Sequence, residues 1–381
     1  MNNKICFIIT DAVSLNVLYK GQLEYLADRD CELTLICGGD YSDLNILRKR
    51  NVGKVINLGF VRQPSILLDL VCLFKVLWHL LFNRYDLVVS TTPKALLIGS
   101  LAAFLTCQRR RVSFFQGRVY ENFIGFKRTV FTFLDRVVIA CSQESIFVSK
   151  SLMDAFSKDI SAVGKKGKVI GSGSGNGVCP EVFSLSTISI SENNKLLNRL
   201  GIKNTDFVVL SVGRICNDKG LKELAEVARN VTEKNESVRF LMLGSIEDNQ
   251  FFEFFSDLIE CGAVIHVDFA NDIEVYFALA DIHLFLSHRE GFGNVAIEAA
   301  SMNVPTIAFD VVGVRDSVAD GVSGLRFKFG DSESVANTII KFSRDPDAMK
   351  EQFKGARAWV MKKFSKENVW KNYESFYKEE Y

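Results

Sequence analysis

Residues 281–325 (DIHLFLSHREGFGNVAIEAASMNVPTIAFDVVGVRDSVADGVSGL) constrain the fold more than any other stretch of the chain. They open on an apolar run of strand length, 282–286, that ends in polar residues. Glu290-Gly291-Phe292-Gly293-Asn294 follows, a turn whose two glycines let backbone approach a ligand closely. Residues 295–302, beginning at Val295, read as a helix with Asn294 as its expected cap. Asn303-Val304-Pro305 breaks that helix before a second buried strand, 306–309. The start of such a helix turns free N–H groups and a positive dipole end back toward the turn, which suits an anion. Glu290 precedes the helix and Glu298 falls in its second turn, so both carboxylates can face one cleft. In an open α/β sheet, ligands bind outside the carboxyl ends of the strands, where this turn falls.

The same alternation runs through the rest of the chain. Strands are expected at 4–10, 32–37, 54–58, 86–90, 111–116 and 137–141, and helices at 14–28, 94–105 and 144–156. After a stretch rich in Gly, Ser and Lys at 165–176, which reads as a linker, strands recur at 207–212, 238–243, 264–267, 282–286 and 306–309. Residues 347–361 and 366–381 read as two terminal helices. Alternation of this kind implies parallel, doubly wound sheets. A chain of 381 residues exceeds the size at which one core stops growing, so two domains are expected, 1–180 and 181–363.

The formal net charge of +1 hides an asymmetry. Residues 1–180 hold 23 Lys and Arg against 14 Asp and Glu, and residues 181–381 hold 23 against 31. A basic half beside an acidic half fits an anionic partner such as a membrane surface, and equally an uneven spread of solvated charge. The nine cysteines are scattered without C-x-x-C pairs, so reduced thiols are expected rather than disulfides or zinc. The start, MNNKICFIITDA, reads as a first strand and lacks a signal peptide's apolar region, so a cytosolic chain is expected. Residues 66–82 (ILLDLVCLFKVLWHLLF) carry Asp69, Lys75 and His79 and are short for a membrane span. A core helix is the expected reading. The alternative is an apolar face on a bilayer, beside Arg109-Arg110-Arg111 and Lys127-Arg128.

The two glutamates separated by seven residues in EGFGNVAIE resemble the signature of retaining nucleotide-sugar glycosyltransferases of family four, which have the GT-B fold. The resemblance continues in Val312-Gly313-Val314-Arg315-Asp316, in Asp320-Gly321-Val322-Ser323-Gly324-Leu325, in Val212-Gly213-Arg214 with Lys219-Gly220, and in Gly175-Asn176-Gly177-Val178. It implies two Rossmann-like domains facing across a cleft. The first would bind the acceptor, with a C-terminal helix at 364–381 packed back onto it, and the second the sugar nucleotide. It also implies a cytoplasmic enzyme, in part peripheral on the inner membrane, that moves a sugar from a UDP-sugar onto a lipid-linked saccharide in capsule or O-antigen synthesis. The expected sugar is an N-acetylated hexosamine.

Alone, Gly213-Arg214 and Lys219-Gly220 would pass for solvated surface. At positions matching the family they become a diphosphate clamp, with Arg supplying a fork and Lys a point charge. By the resemblance Glu298 accepts hydrogen bonds from ribose hydroxyls and Glu290 faces the donor sugar. Gly291, Phe292 and Gly293 offer backbone N–H groups. The catalytic set is thus Glu290, Arg214 and Lys219, and the donor site adds Gly213, Gly291, Phe292, Gly293, Asn294, Val295 and Glu298. The family's same-face scheme needs no metal and no cofactor, and the chain's D-x-D strings, Asp28-Arg29-Asp30 and Asp345-Pro346-Asp347, fall in expected helix-end loops. No nucleic-acid partner is expected, and the four histidines (His79, His266, His283, His288) show no metal spacing and are read as mostly structural. Relatives often carry a first-domain histidine near the donor sugar; here the comparable strand ends in Gln116-Gly117-Arg118. The usual glycine pair after the first strand is replaced by Thr10-Asp11-Ala12-Val13-Ser14, and Thr91-Thr92-Pro93-Lys94-Ala95 resembles an acceptor-side turn. Alternative functions are a nucleotide-sugar epimerase of GT-B-like fold and a non-catalytic sugar-nucleotide-binding subunit.

Overall fold

The computed structural model describes residues 3–63 and 65–379. They form two units, one made of residues up to Asn176 together with those from Glu367 onward, the other of Gly177–Lys366. The first holds strands β1 (Asn3–Asp11), β2 (Cys31–Gly38), β3 (Lys54–Asn57), β4 (Leu87–Thr91), β5 (Arg111–Phe115), β6 (Glu144–Phe147) and β7 (Gly167–Val169). They pair in parallel in the order β3-β2-β1-β4-β5-β6-β7. The second holds β8 (Phe207–Val212), β9 (Val238–Leu243), β10 (Val264–Val267), β11 (Ile282–Phe285), β12 (Thr306–Phe309) and β13 (Gly324–Phe327), parallel in the order β10-β9-β8-β11-β12-β13. Central strands such as β4, β11 and β12 are buried along their whole length, as parallel strands covered on both faces must be.

Several expected elements are placed differently. Residues 137–141, expected as a strand, are the last turns of the Gly125–Cys141 helix, and the expected helix at 144–156 begins as β6 and becomes helical only at Lys150–Asp159. An apolar run of five cannot by itself be told from the end of a buried helix. The expected linker at 165–176 supplies β7, the edge strand of the first sheet. Residues 14–28 form two short helices, Ala12–Leu18 and Gln22–Ala27, parted at Gly21 with φ 80°. Residues 347–361 likewise split into Pro346–Gln352 and Ala356–Phe364. The short strand β13 was not foreseen. Among the described residues, all nine cysteines are free.

The Ile66–Phe82 helix is not a core helix. Cys72, Val76 and Leu80 pack on the sheet with Cys6, Ile8 and Val88, but the opposite side is apolar and exposed. Its neighbour, the Pro93–Leu105 helix, is lined by Ala95, Gly99, Ala102 and Ala103 and sits low on the sheet. The Gly125–Cys141 helix flanks it on the other side. The Arg109-Arg110-Arg111 run is no basic patch either. Arg110 is buried and its guanidinium lies 2.7 Å from Glu144 Oε2 and donates to the Phe376 carbonyl at 2.7 Å. Arg111 donates to the Cys141 and Gln108 carbonyls, which leaves Arg109 outermost.

The C-terminal Lys366–Lys378 helix belongs, from Glu367 on, to the first unit. Its Tyr373 and Tyr377 rings meet Phe114 and Phe7 at 5.6 and 5.7 Å, and Trp370 Nε1 donates to Asn176 Oδ1 at 2.7 Å. The last two residues expected in this helix lie outside the described residues. Arg110 ties this helix to β6 through Glu144, so Arg110→Ala should destabilise the unit by about 3 kcal/mol, because it removes a buried partner of a buried carboxylate and leaves it the contact with the half-exposed Lys168. Arg109→Ala, whose contact with Asp86 is exposed and 3.6 Å long, should cost under about 1 kcal/mol. Urea denaturation of both variants makes the comparison; equal losses would contradict it.

Candidate functional site

In the second unit the strand order reverses between β8 and β11, and the loops leaving their carboxyl ends part there. After β8 come Gly213, Arg214, the Asn217–Lys219 turn and the Leu221–Thr232 helix. After β11 come Ser287 to Glu290, the glycine turn and the Asn294–Ser301 helix. Gly220 lets the two loops touch: its φ is 77°, and a Cβ there would stand 2.2 Å from the Leu286 carbonyl oxygen. Side chains complete the join. Lys219 Nζ donates to Glu290 Oε1, Arg289 donates to Asp218 Oδ2, and His288 Nε2 lies 3.0 Å from Glu223 Oε1. From the loop after β12, Gly313 packs on the same turn; a Cβ there would lie 2.6 Å from the Glu290 carbonyl oxygen. Three loop segments thus fix one glutamate.

Gly213, Arg214 and Lys219 line one small cavity together with Phe285, Leu286 and Ser287. The structure therefore brings the expected clamp residues together, but not as two waiting cations. Lys219 is met by Glu290, and Arg214 by Glu247, with 2.6 Å between guanidinium and carboxylate. Glu247 reaches Arg214 because its N–H donates to the Ile215 carbonyl at 3.0 Å, which holds the loop after β9 against the loop after β8. An incoming diphosphate would have to compete with both carboxylates.

The helix after the glycine turn begins at Asn294, with Gly293 (φ 87°) in the capping position and no side-chain cap, so Asn294 is the first helical residue and not the cap. Phe292 turns its ring into the protein, 5.2 Å from Phe364, which leaves only its backbone for a ligand. Val295 packs against the core formed with Phe277 and Ala299. Glu298 is half-buried, and burial pushes its carboxyl up to about 7, with the Glu274 charge adding to the rise. Its side chain forms no hydrogen bond among the described residues. The two glutamates thus have opposite surroundings: Glu290 has a cation, and Glu298 has an apolar setting and a like charge.

The histidines are held by internal contacts. His283 is fully buried, with Nδ1 3.1 Å from Thr306 Oγ1, and burial pushes its pKa down to about 3. His79 meets the Tyr85 hydroxyl and His266 the Gly244 carbonyl, each at 2.8 Å. Among the described residues, no three His, Cys, Asp or Glu side chains are arranged to hold a metal ion. In the first unit the strand order reverses between β1 and β4. The two segments singled out there meet: Thr10 and Thr92 share a hydroxyl contact of 2.7 Å, and the Thr10 N–H donates to Thr92 Oγ1 at 3.0 Å. Gln116 donates to the Tyr19 hydroxyl at 3.3 Å, while Arg118 is buried against Asp159. Sequence reading did not find Glu247, Asp218, Arg289 or Glu274. Each acts across 24 or more residues of chain, through tertiary packing that leaves no local pattern.

The family model described as "Glycosyl transferases group 1" matches residues 192–359. The chain is 32% identical to the capsular polysaccharide biosynthesis glycosyltransferase CapM of Staphylococcus aureus, over 99% of this chain and 97% of that protein. It is 23% identical to the Escherichia coli UDP-Gal:alpha-D-GlcNAc-diphosphoundecaprenol alpha-1,3-galactosyltransferase, over 85% and 83% of the two chains. Among solved structures, Anabaena Alr3699/HepE in complex with UDP superposes with a TM-score of 0.77 at 22% identity, covering 98% of this chain and 99% of that one. With its two parallel Rossmann-like sheets, this chain has the GT-B fold and belongs to the group 1 glycosyl transferases.

Proposed function

We propose that the chain is a retaining hexosyltransferase, independent of metal, that moves a sugar from a UDP-sugar to a lipid-linked saccharide in the synthesis of a bacterial surface polysaccharide. An N-acetylated hexosamine is the sugar we favour, and the cytoplasmic side of the membrane the place. The observation that carries the reading is Glu298, a carboxylate desolvated beside another acid and given no donor. Burying such a group costs free energy that a ligand's paired hydroxyls would offset. The ribose of a nucleotide presents two such hydroxyls. The UDP complex of HepE and the undecaprenyl-diphosphate acceptor named for the E. coli relative support the same choice of donor and acceptor class.

In this reading the diphosphate lies against Gly213, Arg214 and Lys219, outside β8 at the sheet's reversal. The bond between the anomeric carbon and the diphosphate oxygen breaks, and the acceptor oxygen bonds to that carbon on the same face. The acceptor's proton passes to the departing phosphate oxygen. Arg214 and Lys219 stabilise the charge that gathers on the diphosphate. Glu290, placed against Lys219 by three loops, orients the sugar and favours positive charge at the anomeric carbon.

Two sets of variants test the assignment. Donors from ribose would favour the ionised form of Glu298, so UDP binding should lower its pKa and release a proton near neutrality. UDP affinity should then rise with pH through about 7, by an amount that disappears in Glu298→Gln; calorimetry at pH 6 and 8 reads this directly. An identical pH slope in wild type and variant removes Glu298 from the site. Lys219→Ala should weaken UDP by about 1.5–3 kcal/mol. Glu290→Gln should leave UDP affinity intact or tighter, since Lys219 loses a competing partner, yet depress kcat. If Glu290→Gln abolishes UDP binding instead, its role is structural. Transfer assays with a panel of UDP-sugars and a lipid-diphosphate saccharide, run with and without EDTA and read by NMR at the product's anomeric centre, test donor, metal and stereochemistry together. Inverted product or EDTA-sensitive transfer would contradict the scheme.

A further inference from the structure

We propose that Cys179 and Lys366 form an oxidant-responsive pair. Hydrogen peroxide, or another hydroperoxide, would join the thiol to the lysine amine as a sulfenamide and so close the second unit covalently near both of its ends. The pair stands apart from the donor site, since neither residue lines the cavity beside Arg214 and Lys219.

Three reactive groups meet on two adjacent segments of chain. Lys366 Nζ lies 2.9 Å from Cys179 Sγ and 2.8 Å from Glu181 Oε2, and the Cys179 thiol donates to the same carboxylate oxygen at 3.0 Å. The backbone fixes this meeting. The Val178 N–H donates to the Phe364 carbonyl at 2.8 Å, the Lys366 N–H donates to the Val178 carbonyl at 2.9 Å, and Val178 and Ser365 pair as a parallel bridge. Arg357 adds bonds to the Pro180 and Phe183 carbonyls at 3.3 and 2.7 Å. A bond between sulfur and nitrogen therefore needs movement of two side chains and none of the backbone. The position is also open to solvent: Cys179 is half-buried, and the Glu181 side chain is 66% exposed. By contrast Cys6, Cys31, Cys37, Cys72 and Cys141 are buried. Burial pushes their thiols up, Cys37 to about 12, which suppresses the thiolate that reacts with peroxide.

The Lys366 ammonium stabilises the Cys179 thiolate as its proton leaves for solvent, and the thiolate attacks one peroxide oxygen. The O–O bond breaks, sulfur is oxidised by two electrons to a sulfenic acid, and the other oxygen leaves as hydroxide, which takes up a proton to become water. Lys366, having given a proton to solvent, then attacks the sulfur with its nitrogen lone pair. The S–N bond forms, the S–O bond breaks, and the hydroxyl leaves with a proton as a second water. One thiol, one amine and one peroxide thus give one sulfenamide and two waters. Glu181 is a positioning residue, and hydrogen bonds from Cys179 and Lys366 hold its carboxyl down at about 2. Burial pulls the Lys366 amine down, but its bonds to Cys179 and Glu181 outweigh this and hold it above its ordinary value. The second step therefore waits on loss of the ammonium proton and speeds up as pH rises. The bond would span residues 179–366, all but two residues of the second unit. A cross-link that closes so long a loop restricts the unfolded chain, so the oxidised unit resists unfolding until a thiol reduces it.

Peptide mass spectrometry of the whole chain after hydrogen peroxide treatment, with remaining thiols blocked by iodoacetamide, tests this. A peptide pair joined at Cys179 and Lys366, lighter than its parts by two hydrogens, should appear, and dithiothreitol should release it. The pair should form several-fold faster at pH 9 than at pH 7. Lys366→Arg keeps a cation beside the sulfur but brings no amine to attack it. In that variant the cross-link should vanish, and dimedone should trap the sulfenic acid at Cys179 about fivefold more than in wild type. Cys261, exposed and hydrogen-bonded to the Leu258 carbonyl, should take up dimedone equally in both proteins. The cross-linked chain should show a melting transition roughly 5 °C or more above that of the reduced chain, a shift absent from Lys366→Arg treated alike. Oxygen adducts on Cys179 without the linked pair, or equal dimedone labelling of Cys179 in wild type and Lys366→Arg, would each overturn the proposal. A linked chain that melts no higher than the reduced one would overturn the stabilising role of the bond.

Discussion

The contact between Lys219 and Glu290 joins the two directions in which the second sheet grows. β8 leads outward through β9 to β10, and β11 outward through β12 to β13, so the loops above β8 and β11 would drift apart without a tie. Gly220 removes the steric bar, and the Lys219, Arg289 and His288 contacts supply the tie. The cost is a neutralised cation in the place where a diphosphate is expected. Ion pairs of this kind are partly exposed and worth little by themselves, so exchange of Glu290 for phosphate oxygens is accessible on energetic grounds. The same contact therefore orders the two loops and, in the proposed reading, is one that a diphosphate could replace.

Glu298 is the complementary element. This half-buried carboxylate is raised by partial desolvation and by the repulsion of Glu274, without a hydrogen-bond donor among the described residues. Stability is sacrificed locally at sites where a ligand later restores it. The first unit shows a related imbalance on a larger scale. Each large apolar side chain kept in water forgoes about 1.5–3 kcal/mol relative to burial. The Ile66–Phe82 helix leaves a row of them outside while spending its polar residues on inward contacts. Both features are costs for the isolated molecule that binding would recover.

Much of this was legible in the chain. Alternation of strand-length apolar runs with helical segments gave the parallel sheets, and the glycine turn after β11 placed Glu290 and Glu298 at a carboxyl edge. What failed had physical reasons. Residues 137–141 are as apolar as a strand, and only the helix before them decides their state. The Arg109-Arg110-Arg111 run looks basic, yet Arg110 is consumed by Glu144 and the Phe376 carbonyl, more than two hundred residues away for the latter. A 17-residue apolar helix reads as core, because sequence shows hydrophobicity but not which sides another element covers. Glu247 enters the site through a loop, which carries no period, and Glu274 through a helix of only five residues, too short to show one.

The central claim is that a uridine nucleotide binds across the reversal between β8 and β11. Hydrogen–deuterium exchange of the whole chain with and without saturating UDP tests it most directly. Slowed exchange is predicted in residues 213–221 and 287–298, where backbone N–H groups of both loops would face the diphosphate and ribose. Protection confined to other segments of the second unit, or no protection at saturation, would contradict the account.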